Sequence, residues 1–264
     1  MTTPLTDVEL GQLVLAHELL ESRPLAMRFC DALGVPLETA VSMLPRKAKD
    51  AVHGVTEKCL RKAMDVALRT MGDAGGGRSS DLAHKCFVTA SGFLGGLGGM
   101  AGFAVEAPIS TVAMLRSIFD VARAHGADLS RPEIRLECLN VFALSGGARF
   151  DGSMPGYYAA RAVMPRNFAE LAARAVVRGA GEEGGGLAAR FVAALTDRFA
   201  PRLVEKFAAQ SLPLAGAAGG AAVNYVFVSH FQDIARGHFL VRRLENVHGE
   251  DAVREAYRNI AGKR

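Results

Sequence analysis

Two long stretches of this chain carry no charged side chain: Cys86 to Val105, twenty residues, and Phe207 to Gln232, twenty-six. Either passes the roughly 18-residue length at which an apolar segment becomes a candidate membrane span. Both are rich in glycine and share a spacing, Gly95-x-x-Gly98-Gly99 and Gly216-x-x-Gly219-Gly220. A glycine inside a helix costs about 1 kcal/mol relative to alanine, so this density needs a physical reason. Close backbone approach is one. Small residues four apart, such as Gly95 and Gly99 or Gly216 and Gly220, let two helices meet with no side chain between them.

Three arrangements use such runs. In the first, a Gly/Ala-lined pair of helices crosses at the centre of a soluble bundle. In the second, a hairpin or re-entrant pair enters a membrane. Pro213, Asn224 and the bounding Glu106 all oppose full spanning. In the third, Gly96-x-Gly98-x-x-Ala101 cradles a dinucleotide phosphate, with Asp120 downstream. That pattern requires a strand–turn–helix unit, and no strand rhythm surrounds it.

The periodicity is helical nearly everywhere. Thr6-x-x-Glu9 and Ser130-x-x-Glu133 read as capping boxes. Gly34, Gly72, Gly126 and Gly146 read as helix stops. Pro108 marks the start of one helix, and Pro201 a joint between two. Leu187, Phe191, Leu195, Phe199, Leu203 and Phe207 form an apolar ridge at four-residue spacing. Further helices are expected at about 157–164 and 167–178, with glycine-rich connections at 73–80 and 179–186. The expected fold is an all-α multi-helix bundle with two central glycine-rich helices. Residues 1–40 supply N-terminal helices and 41–264 the main helical domain, together one compact unit.

Half of the 264 residues are apolar and 22% are charged, ample for a core. The net charge of +4 and the aromatic share of 7%, with no tryptophan, do not fit a protein that tracks phosphates and stacks bases. No nucleic-acid partner is therefore expected. Four scattered cysteines (Cys30, Cys59, Cys86, Cys138) read as buried thiols. The N-terminus has no secretory pattern, which implies a cytoplasmic, bacterial-type protein.

Polar residues cluster late in the chain. His230, Asp233 and His238 fan over roughly 140° of one helix side. Imidazole and carboxylate are metal-ligand types, and Asp120 and Asn224 are candidates to complete a polar or divalent-metal centre. The alternative is a polar stripe in which Asp233 pairs with Arg236 or Arg242. Ala143-Leu-Ser145-Gly-Gly147 echoes a nucleophile elbow but also reads as a helix stop. Glu133 and Glu137, flanked by Arg131 and Arg135, read as a solvated charged face. Earlier, the helix from about 45 to 71 carries Arg46, Lys47, Lys49, Arg61 and Lys62 on an amphipathic pattern. Such a helix suits either an anionic membrane surface or the outside of a bundle.

Several of these features recur together in one known family. They are the glycine-rich apolar run, the helix ending in Ala124-x-Gly126-x-Asp128, and Arg131-Pro132-Glu133 leading to Phe142 and Gly146. Leu212 to Ala217, Gly220, Asn224, and His230 to Arg243 with Ile234, Ala235, Phe239 and Arg242 complete the set. The combination resembles the EcsC protein family from about residue 40 onward. The resemblance implies a helical fold and a link to membrane transport and secretion, with no established catalytic residues.

The expected function is a non-enzymatic protein at the cytoplasmic face of the inner membrane, or one holding a lipid or fatty acid between its glycine-rich helices. Gly95, Gly98, Gly99, Gly216, Gly219 and Gly220 would make the apolar contacts. Two alternatives are a metal-dependent or acid/base enzyme centred on His230, Asp233 and His238, and an adaptor docking on a transporter or secretion component by helix-in-groove contact.

Overall fold

Thr6 and Glu9 form a reciprocal capping box at the start of helix α1 (Asp7–Leu20). The Thr6 N–H donates to Glu9 Oε2 at 2.9 Å, and the Glu9 N–H donates to Thr6 Oγ1 at 3.4 Å. Helix α2 (Leu25–Leu33) stops at Gly34, whose φ of +69° suits glycine. The chain continues through α3 (Leu37–Met43), α4 (Arg46–Arg69), α5 (Gly99–Ala124), α6 (Pro132–Leu144), α7 (Gly156–Ala162), α8 (Gly181–Gln210), α9 (Gly216–His248) and α10 (Glu250–Ala261). This computed structural model describes residues 4–21, 23–34, 36–69, 99–145, 156–162, 181–212 and 216–262. Among them are ten helices and no strand. The expected helix at 167–178, the loop at 73–80 and the run 86–98 lie outside the described residues.

Two prolines expected at helix boundaries instead sit inside continuous helices. Pro108 is within α5 and Pro201 within α8. Proline deprives the carbonyl four residues earlier of its donor. Those residues, Ala104 and Asp197, are both exposed, so water can satisfy the freed carbonyls while burial of the opposite faces holds each helix together. A third expectation also changes. Ser130 does not cap α6, whose N-cap is Arg131 with no side-chain bond. Asp128 takes both the Ser130 N–H (3.0 Å) and its hydroxyl (2.6 Å) in a local turn.

The apolar ridge on α8 anchors the core. Phe191, Leu195, Phe199 and Leu203 are fully buried. The Phe199 ring lies 4.8 Å from Phe142 of α6, 5.5 Å from Phe231 and 6.1 Å from Phe227 of α9. Phe29 of α2 stacks on Phe227 at 6.4 Å. Helix α4 closes the opposite side, packing its buried Val52, Leu60, Ala63 and Ala67 toward α5, α6 and α8.

Helices α5 and α9 run parallel. Glu106 bonds Asn224 and Ser117 bonds Gln232, so the two chains ascend together. Helix α1 runs antiparallel along the second half of α9, with Glu9 at His248, Gln12 at Arg243 and Leu20 at Gly237. A Cβ on Gly237 would sit 2.6 Å from Leu20 Cγ and 3.1 Å from the Ala16 carbonyl oxygen. Only glycine permits this approach.

Candidate functional site

Helix α9 carries most of the polar residues of interest, and the structure distributes them among separate neighbourhoods. His230 is buried, and its Nε2 lies 3.2 Å from Ser145 Oγ at the end of α6. Its Nδ1 has no hydrogen-bond partner among the described residues. Burial, aided by the nearby Arg28 and Arg202 guanidiniums, pushes the imidazole down to about 3. Serine and histidine are thus in contact, as nucleophilic catalysis requires. An imidazole this weakly basic, with no carboxylate on Nδ1, is nevertheless a poor general base near neutral pH.

Asp233, one helical turn on, instead receives Arg28 at 2.9 Å and Arg236 at 3.1 Å. His238 belongs to a third group. Its Nδ1 is 2.8 Å from the Tyr157 hydroxyl, and its Nε2 is 3.4 Å from Glu137 Oε1 without hydrogen-bond alignment. Burial lowers the affinity of this imidazole for a proton despite Glu137 beside it. Burial alone would raise the Glu137 carboxyl, but His238 and Arg242 outweigh it and hold the group at about 2. Glu137 is therefore not on a solvated charged face. It is the half-buried partner of Arg242, with Nε at 2.5 Å.

The same region contains Arg161 of α7, which grips Glu245 with both nitrogens at 2.7 and 2.8 Å. Tyr158 donates to Glu245 at 3.2 Å. Burial pushes the Tyr157, Tyr158 and Tyr257 hydroxyls far above their ordinary range, so they remain neutral donors. Tyr157, Tyr158, Arg161 and Glu245 bond one another, and the result is a structural lock.

Asn224 sits elsewhere, in the middle of the bundle. Its Nδ2 donates to Glu106 Oε1 at 3.0 Å, and Lys206 donates to both Glu106 oxygens and to Ser110 Oγ at 2.9, 3.0 and 3.1 Å. Asp120 faces Arg123 of its own helix at 3.1 Å. Asp120, Asn224, His230, Asp233 and His238 thus do not converge on one centre. Among the described residues, no three His, Cys, Asp or Glu side chains group as a metal site would need. Sequence reasoning took Glu106 only as the boundary of an apolar run and missed Lys206. The available signal was a lysine on the buried side of the phenylalanine ridge, one residue before Phe207.

The glycines divide in two. Gly95 and Gly98 lie outside the described residues. Gly99 opens α5 with φ +53° and is exposed, so it marks a backbone turn and not a close helix crossing. Gly216 opens α9, with Gly219 half-buried and Gly220 buried. The parallel register puts Gly102 level with Gly220, and both glycine-rich helix starts point to one end of the bundle. Among the described helices, α5 alone is long and apolar enough to cross a membrane. Its most apolar stretch is 61% buried within the protein.

The basic residues of α4 face outward. Arg46, Lys47, Arg61 and Lys62 are exposed and Lys49 is half-buried. Between α4 and α8 lies an open groove of about 370 Å³, lined by His53, Glu57, Arg61, Arg190, Thr196 and Asp197 with Ala189 and Ala193.

Taken together, the described residues form an all-helical bundle in which most buried charged groups face internal partners and a cationic face of α4 is turned to solvent. The model of the EcsC protein family matches residues 25–244, so the chain belongs to that family. Helices α1 and α10, which pack on each other and on α9, fall outside the matched span. No curated protein and no solved structure matches the chain.

Proposed function

We propose that this EcsC-family protein is a non-enzymatic helical protein that adsorbs peripherally on an anionic membrane surface, at the cytoplasmic face of the inner membrane. The carrying observation is the division of α4. Its apolar side is consumed by the bundle while Arg46, Lys47, Arg61 and Lys62 remain in solvent. Seven cations against three acids over residues 46–69 leave a surplus of positive charge. Each cation near an anionic leaflet adds about 1 kcal/mol. With the apolar side committed to the core, α4 attracts a membrane by charge and does not insert.

Lipid or fatty-acid contact by the glycine-rich ends of α5 and α9 is part of the same proposal, and so is a transporter or secretion component met at that surface. The enzymatic alternative has less support, because His230, Asp233 and His238 each serve a different internal partner.

Flotation of the purified chain with phosphatidylglycerol-containing and with pure phosphatidylcholine vesicles tests the reading. The expected result is flotation with the anionic vesicles only, lost at high salt. No flotation with either, or equal flotation with both at any salt, overturns it.

A further inference from the structure

We propose that the groove between α4 and α8 is a headgroup site that seats the phosphate of an anionic phospholipid, with Arg61 and Arg190 as its ligands. This rests on the membrane reading above and names the contact within it.

The register of the two helices brings these arginines together. His53 Nε2 lies 3.6 Å from Asp197 Oδ1. Arg61 is two turns further along α4, and the groove is completed by Ala189 and Arg190, two turns back along α8. The helices are therefore antiparallel, and Arg61 and Arg190 stand at the same end of the groove. Of the two acids of the lining, Glu57 accepts from Arg61 Nε and Nη2 at 2.9 and 2.6 Å, and the exposed Asp197 stands beside His53, at the opposite end of the groove from Arg61 and Arg190. Arg190 is exposed and has no hydrogen-bond or ion-pair partner among the described residues. Arg61 uses two of its five N–H donors on Glu57. An exposed i,i+4 pair of that kind contributes little to stability, so a phosphate can share or displace it through charge-assisted, bidentate bonds.

The floor selects the rest of the ligand. Ala189 and Ala193 offer no donor or acceptor, and the Thr196 hydroxyl is spent on the Val192 carbonyl at 2.8 Å. An apolar floor with polar groups at one end is the usual form of a small-molecule site. It fits the glycerol and first acyl carbons of a lipid better than a bare inorganic ion. Lys58 and Lys62 of α4, each the next residue in sequence after a groove-lining side chain, are exposed, so a lipid held in the groove would remain in the leaflet that the cationic face attracts.

The test compares wild type, an Arg61→Gln/Arg190→Gln variant, and a Lys47→Gln/Lys62→Gln variant. Each is titrated calorimetrically with monomeric dihexanoyl-phosphatidylglycerol and with inorganic phosphate, and each is floated with phosphatidylglycerol vesicles. Wild type should bind the short-chain lipid saturably and more tightly than phosphate. The arginine variant should lose about tenfold or more, a difference of about 1.4 kcal/mol. The lysine variant should float less yet keep its short-chain lipid affinity. If wild type floats but the short-chain lipid does not bind, or binds the arginine variant equally well, the groove proposal fails while the membrane reading stands. Phosphate binding as tightly as the lipid would also overturn it. If wild type does not float, the membrane reading itself fails.

Discussion

Lys206 and Glu106 meet in the centre of the bundle, one hundred residues apart in sequence, with Nζ 2.9 and 3.0 Å from the two carboxylate oxygens and essentially no solvent contact. Lys206 also lies 5.1 Å from the centre of the Phe227 ring. The pair ties α5 to α8, and Asn224 extends the tie to α9. Removing one member leaves a buried charge without its counter-ion, at a cost of about 3–5 kcal/mol. Lys206→Met and Glu106→Gln should each destabilise the fold by roughly that amount in chemical denaturation. The double variant, which leaves no charge buried, should cost clearly less than the two losses added. Simple additivity in this double-mutant cycle would show that the pair is not coupled.

Gly237 sets how closely α1 lies on α9. A methyl group there must displace Leu20 Cγ and the Ala16 carbonyl. Overpacking of this sort costs about 1–3 kcal/mol. Gly237→Ala should therefore lower the melting temperature although alanine is the better helix former, and Leu20→Ala should recover part of the loss when combined with it. A Gly237→Ala protein as stable as wild type would mean α1 is not seated as described.

Features that depend on near neighbours were legible in the sequence. The Thr6–Glu9 box, the stop at Gly34 and the ridge from Phe191 to Leu203 are all set within a few residues. The same local logic misplaced Pro108 and Pro201, because neither the exposure of Ala104 and Asp197, whose carbonyls lose a donor, nor the burial that carries the helix through can be read from adjacent residues. It also gave Ser130 to the helix when Asp128 held it. The candidate centre was legible as residue types but not as a grouping. Ser145 and His230 were noted separately, and contact between them needs a fold that joins positions 85 residues apart. Asp233 and His238 share a helix with His230, yet a turn or two of rotation hands them to Arg28 and Tyr157. Glu137 looked solvated because its partner, Arg242, is 105 residues away.

Acid should weaken the fold before the carboxylates titrate. His230 has a native value of about 3 against an ordinary 6.5, so the unfolded chain binds this proton first. The stabilisation is complete above pH 6.5 and is lost as pH falls toward 3. The slope from this one group reaches about 1.4 kcal/mol per pH unit. His238, also lowered by burial, acts in the same direction. Glu137, held at about 2, adds its own loss below the ordinary carboxylate value of 4.5. Denaturation midpoints of wild type should fall steadily between pH 6.5 and 4.5. His230→Gln, which keeps a donor and acceptor near Ser145 but has no proton to gain, should show a shallower fall. Identical slopes in the two proteins would place the linkage on other groups.

Glu21, just after α1, holds the start of α7. Its Oε1 accepts from the Tyr157 N–H at 3.0 Å and from the Tyr257 hydroxyl at 3.2 Å, so one oxygen joins α1, α7 and α10. The work is that of a helix cap supplied from a distance. It needs an acceptor, and a negative charge beside the first turn adds only about 0.3–1 kcal/mol. Glu21→Gln retains the amide oxygen and should cost no more than that increment. Glu21→Ala leaves the Tyr157 N–H and the Tyr257 hydroxyl without this acceptor, and should cost about 1–2 kcal/mol, the range for loss of a cap. Tyr257→Phe, combined with Glu21→Ala, should add little further loss, because the hydroxyl has already lost its acceptor. Thermal unfolding of the four proteins separates the contributions. Equal destabilisation by the glutamine and alanine variants would show that the carboxylate charge, and not its oxygen, fixes α7 in place.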